Sequence, residues 1–139
     1  MPVQKVIFAS HVIDSLLTYS RMAYPNEGIL ILRGKSKKGI VEITSVMVPP
    51  AAVHAHSYSS FNWFMLPVDM SYIGVAHSHP SGNANPSHED RLHSIGKIMV
   101  IMGYPYGDSS HVGVFDYNGN RVPFEVRPST GPWDKIDPP

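Results

Sequence analysis

At 139 residues the chain has the length of one ordinary domain, long enough to bury a core and too short for two. Hydrophobic residues make up 42% and charged residues 16%, with 11 acidic side chains balancing 11 basic ones; this excludes a disordered polyelectrolyte and argues against nucleic acid or an anionic membrane as partner. Cysteine is absent, so disulfides, thiolate zinc fingers and cysteine nucleophiles are excluded, and any transition metal must be held by His, Asp or Glu.

In chain order, Ser10 is a preferred helix cap, and Val12, Ile13, Leu16, Leu17 and Tyr19 form the apolar stripe of a helix running to about Met22, with Pro25 stopping its extension. Residues 28–33 form an apolar run of strand length. Residues 41–48, bounded by Lys37-Lys38-Gly39 and Pro49-Pro50, read as its hairpin partner. Residues 51–60 show little periodicity, and the aromatic segment 61–66 reads as a strand limited to an edge by Pro67. Residues 72–76 are a short strand buried on both faces that delivers the chain to His77. Ser87-His88-Glu89-Asp90 looks like a helix start, with Ser87 as cap, acidic groups at the positive end of the dipole, and Leu92, Ile95 and Met99 on the inner face. Gly96 weakens that helix, and residues 98–102 are alternatively the next strand. Residues 112–116 and 122–127 flank Asn118-Gly119, the commonest type I′ hairpin signal. The proline-rich stretch 128–139 reads as an irregular tail behind a single domain of residues 1–127. The longest apolar runs fall far short of a membrane span, and the first residues do not lead into a signal peptide, so the expected location is the cytoplasm.

The segment from His77 to Asp90 carries the chemistry. His77 and His79 are two apart, so on a strand both imidazoles leave one face. The loop through Pro80, Gly82, Asn83 and Pro86 can turn Asp90 back toward them. Two His and one carboxylate suit Zn²⁺ with a fourth position open to water, and zinc lowers the pKa of such a water to about 7, which points to a hydrolase. The plainer alternative is a pair of solvent-facing histidines followed by a near capping box at Ser87 and Asp90. Two other histidine pairs are weaker. His54-Ala55-His56 has no nearby carboxylate, and His88 and His93 are five apart, about 140° around a helix of 3.6 residues per turn.

The run His77-Ser78-His79-Pro80-Ser81-Gly82-Asn83-Ala84-Asn85-Pro86-Ser87-His88-Glu89-Asp90 resembles the JAMM, or MPN-plus, metalloprotease motif of deubiquitinating enzymes, and Pro25-Asn26-Glu27-Gly28-Ile29-Leu30-Ile31-Leu32-Arg33-Gly34 looks like that family's glutamate-bearing strand. The resemblance covers most of residues 3 to 127. It implies an α/β, single-domain JAMM/MPN (cytidine-deaminase-like) fold, with a central curved mixed sheet flanked by helices. It implies one Zn²⁺ on His77, His79 and Asp90 with water as fourth ligand, Glu27 as general base on that water, and Ser87 as oxyanion donor.

The short segment from Ala51 to Tyr72 resembles the compact prokaryotic or archaeal form. The expected reaction is therefore isopeptide cleavage that frees a lysine from a ubiquitin-like or sulfur-carrier protein. Tyr58, Phe61, Trp63 and Phe64 are either a wall for the modifier tail or simply core. The oligomeric state stays open, a homodimer included. The alternatives are a non-catalytic MPN-type scaffold and a RadC-like protein, the latter disfavoured by length and neutral charge. A nucleobase deaminase is excluded by the missing cysteines.

Overall fold

A computed structural model of the chain describes residues 2–49, 71–87 and 96–129. Within them the order is β1 (Lys5–Ala9), α1 (Ser10–Ala23), β2 (Ile29–Lys37), β3 (Ile40–Met47), β4 (Tyr72–His79), β5 (Ile98–Gly103), β6 (Val112–Asp116) and β7 (Phe124–Arg127), with a 3-10 turn at Ser109–His111. The seven strands form one mixed sheet in the order β6-β5-β4-β2-β3-β1-β7. The two edge strands, β6 and β7, are close in sequence, and Phe115 bridges Arg121 while the Val122 N–H donates to the Val114 carbonyl at 2.8 Å. The sheet must therefore curl until its edges approach one another, and it is nearly a barrel.

One face of the sheet is covered by α1. Val12, Ile13, Leu16, Leu17 and Ser20 are buried, as a 3.6-residue period requires of the face turned to the sheet. The four apolar ones pack with Phe8, Leu30, Leu32, Val100, Met102 and Val114 in the principal core. The continuous apolar run of β2 is buried on both faces, with Leu30 and Leu32 turned toward α1. No helix among the described residues is long and apolar enough to cross a membrane.

Several expectations change. Ser10 is the first helical residue rather than the cap; Ala9 takes the cap position without a side-chain bond, and the Ser10 hydroxyl bonds Ser129 at 3.1 Å instead. Strand β1 has no counterpart in the sequence reading, because it runs straight into α1 with no glycine or proline between. Its two parallel partners, β3 and β7, make it a strand. Residues 98–103 are strand, so Met99 lies in β5 and not on a helix. The flanking helices reduce to α1 among the described residues, since residues 88–95 lie outside them.

The type I′ turn sits elsewhere than at Asn118-Gly119. Lys38 and Gly39 both have positive φ, 53° and 82°, and close the β2–β3 hairpin with Lys37 opposite Ile40. At the other site Gly119 alone of the two is left-handed. The Gly119 N–H donates to the Asp116 carbonyl at 3.0 Å, the type I turn with a left-handed residue that suits a three-residue loop. Asp116 Oδ1 stabilises that alternative by accepting from the Asn118 and Asn120 N–H groups at 3.0 and 2.9 Å.

Gly74 marks where β4 and β5 come too close for a side chain: a Cβ there would lie 2.2 Å from the Ile98 carbonyl oxygen. Gly74→Ala should therefore lower stability by about 1–3 kcal/mol, the usual cost of overpacking. The urea midpoint would show this as a shift at constant slope, and an unchanged midpoint would refute the close approach.

Candidate functional site

The site grows from the pairing of β2 with β4. Ile29 lies opposite His77 in an antiparallel register. Continuing that register by two residues sets Glu27 opposite His79, on the same face of the sheet. The junction is tied twice. The Ser78 N–H donates to the Gly28 carbonyl at 3.0 Å, and the Gly28 N–H donates to Ser78 Oγ at 2.7 Å. Ser78 points to the α1 side, where a Cβ on Gly28 would lie 3.4 Å from its hydroxyl and 3.3 Å from the Ala23 Cβ.

On the opposite face His77 and His79 stand side by side, with ring centroids 5.0 Å apart. They are 0% and 9% exposed, so the plainer reading of two solvent-facing histidines is wrong. His79 Nδ1 lies 2.6 Å from the backbone carbonyl of Asn83. A carbonyl can only accept, so Nδ1 carries a proton, and in the neutral ring Nε2 keeps the lone pair that a metal requires. The Tyr104 N–H donates to the His79 carbonyl at 3.2 Å, and Tyr104 stacks on Tyr24 at 4.7 Å, joining the end of β5 to the end of α1 around the site.

A cleft of about 320 Å³ opens over these groups, lined among the described residues by Glu27, His79, Pro80, Ser81, Asn83, Asn85, Pro86 and Ser87. Glu27 is half-buried and Ser87 exposed. A second, more apolar cleft of about 660 Å³ runs along α1 past Tyr19, Met22 and Val48, and it also ends on Glu27. That carboxylate therefore stands at the junction of two grooves. Beneath it, burial pushes the Tyr106 phenol up, the Ser78 hydroxyl pulls it back, and the nearby Tyr24, Glu27 and Tyr104 add to the rise, so Tyr106 is a neutral floor.

The structure thus brings together Glu27, His77, His79 and Ser87. Asp90 and the aromatic group Tyr58, Phe61, Trp63 and Phe64 lie outside the described residues, as do His54, His56, His88 and His93. No group of three metal-ligating side chains occurs among the described residues. His77 and His79, buried together with a lone pair directed away from the Asn83 carbonyl, have the donor chemistry of two ligands to a borderline metal such as zinc. Ser78 and Asn83 were missed in the sequence. Strand alternation alone would have turned Ser78 toward α1, whereas the use of the Asn83 carbonyl depends on how its loop folds back.

The profile of prokaryotic homologs of the JAB domain matches residues 9–113. The chain belongs to this family. A relative in Haloferax volcanii, named a probable metalloprotease, is 29% identical over 125 residues, covering 85% of this chain and 77% of its own length. A solved JAB1/MPN domain protein from Archaeoglobus fulgidus superposes with a TM-score of 0.63 at 26% identity, covering 88% of this chain and 98% of that one. A structure described as a JAMM metalloprotease-like zinc site in the proteasome and signalosome superposes with a TM-score of 0.62 at 24% identity, over 90% of this chain and 98% of that one. The JAMM/MPN fold expected from the motif is the fold of this JAB domain.

For the JAB-domain junction, Ser78→Ala removes the acceptor of the buried Gly28 N–H. It should cost about 1–3 kcal/mol, the price of an orphaned buried donor, in chemical denaturation. A smaller loss, within about 0.5 kcal/mol, would mean that the bond does not hold the junction.

Proposed function

We propose that the protein is a zinc-dependent isopeptidase that releases a ubiquitin-like or sulfur-carrier protein from a lysine side chain. Family membership supports the coarser reading of a metalloprotease-like function, in keeping with the name of the Haloferax relative. The observation that carries the finer reading is the cleft: His79 lines it together with Glu27 and Ser87, with a second buried imidazole, His77, beside it.

In this reading His77, His79 and Asp90 would hold one zinc ion, which would supply Lewis acidity to the scissile carbonyl and to water. Glu27 takes a proton from the attacking water and returns it to the departing lysine amine. Its position at the meeting of two grooves suits both transfers, because an amide bond seated there has one arm in each groove. Ser87 donates its hydroxyl to the developing oxyanion. The modifier's extended tail occupies the apolar groove along α1, and Tyr58, Phe61, Trp63 and Phe64 are the sequence's further candidates for contact with it. The substrate is a conjugated protein and the setting the cytoplasm.

The test is to incubate the zinc-loaded protein with candidate conjugates, with and without chelator, and to follow free modifier. Release that stops with chelator is expected. Glu27→Ala should retain zinc while turnover falls about 10²- to 10⁴-fold, the usual contribution of a general base. Ser87→Ala should lose about 10²- to 10³-fold. No release from any conjugate by the zinc-loaded protein would refute the activity, and full activity of Glu27→Ala would refute its role.

A further inference from the structure

The loop that carries the cleft wall, residues 80–87, has a support outside the motif. Ala84 packs on Met99, Ile101 and Phe115, on the sheet face away from α1. The backbone comes in so closely that a Cβ on Gly113 would lie 2.5 Å from the Ala84 carbonyl oxygen. Next to this contact Arg121, from the segment joining β6 and β7, holds its guanidinium 5.0 Å over the Phe115 ring. From there it donates to Asn85 Oδ1 at 3.1 Å.

Hydrogen bonds continue from Asn85 to the site. Its side-chain amide and its backbone N–H both donate to Asn83 Oδ1, at 2.9 and 3.0 Å. The backbone carbonyl of Asn83 accepts from His79 Nδ1 at 2.6 Å. We propose that Arg121 is a positioning residue which, through Asn85 and Asn83, holds His79 in its Nδ1–H tautomer with Nε2 presented to the cleft.

The polarity of the chain supports this. A carboxamide can face either way, but a guanidinium has donors and no acceptor, so it can meet Asn85 at the oxygen end alone. That turns the Asn85 NH₂ toward Asn83, which must then offer its own Oδ1. The asparagine pair is locked in one of its two orientations, and the loop places the Asn83 carbonyl at the imidazole. Asn83 and Asn85 are exposed, so burial does not do this work. Lysine would be a poor substitute, because stacking on Phe115 while donating sideways needs a planar fork. The functional consequence rests on the zinc reading proposed above; the tautomer does not.

The experiment has two readouts. In metal-free protein, ¹⁵N shifts of the His79 ring report its tautomer; wild type should show Nδ1–H, and Arg121→Met a mixture of both forms. In a competition titration against a chromogenic chelator, Arg121→Met should lose about 3- to 10-fold in zinc affinity, less than the 10- to 100-fold typical when a ligand's direct partner is removed. Asn85→Ala should lose a similar factor, and the double variant should lose no more than Asn85→Ala alone, since the two act in series. Arg121→Lys should recover less than half of the loss on a logarithmic scale. An unchanged tautomer in Arg121→Met, or fully additive losses in the double variant, would overturn the proposal. Wild-type protein that binds no zinc would overturn the zinc reading instead, and the tautomer readout would still decide the role of Arg121.

Discussion

The double tie between Gly28 and Ser78 is the constraint on which the site depends. Its two hydrogen bonds, 3.0 Å between backbones and 2.7 Å to the serine hydroxyl, fix the start of β2 against the end of β4. A slip of one residue in that register would turn Glu27 to the α1 side, away from the face that carries the histidines. The serine between the histidines thus has a different task from theirs. It faces the helix side and holds the strand that brings the carboxylate.

Around this junction the fold separates support from chemistry. One side of the sheet is covered by α1 and the aliphatic core. The opposite side carries the imidazoles and receives the loop 80–87, packed through Ala84 on Met99, Ile101 and Phe115. Strands β4 and β5 are parallel, so the chain must cross over between them, and that crossover starts at His79. Clefts at the carboxyl ends of parallel strands are where α/β sheets ordinarily place ligands, and this cleft obeys that rule. Glu27 reaches it from the other direction, as the last residue before the β2 junction.

Much of this was legible in the amino-acid order. The helix stripe of Val12, Ile13, Leu16 and Leu17, the β2–β3 hairpin and the common face of His77 and His79 all follow from short-range periodicity, which the structure respects. The failures were of another kind. Strand β1 was invisible because nothing local separates it from α1, and β3 and β7 supply its hydrogen bonds from far along the chain. Asn118-Gly119 has the composition of a type I′ turn, yet Asp116 caps a different one, and the strands on either side pair with β5 and β1 at opposite edges of the sheet. Ser10 was free to cap the helix, but Ser129 offered its hydroxyl another partner.

By itself the sequence determined the pair of histidines, their spacing on one strand face, the exclusion of thiolate chemistry and the family to which the chain belongs. These are properties of neighbouring residues, and a strand's period of two is enough to express them. Tertiary structure is what puts Glu27 and His79 on the walls of one cleft, because strand register depends on partners about fifty residues apart. It alone decided the proton position on His79, because that follows from where the Asn83 carbonyl comes to rest. The link to Arg121 belongs to the same class: no local pattern relates it to a histidine more than forty residues before it, and the curl of the sheet brings them into one hydrogen-bonded chain.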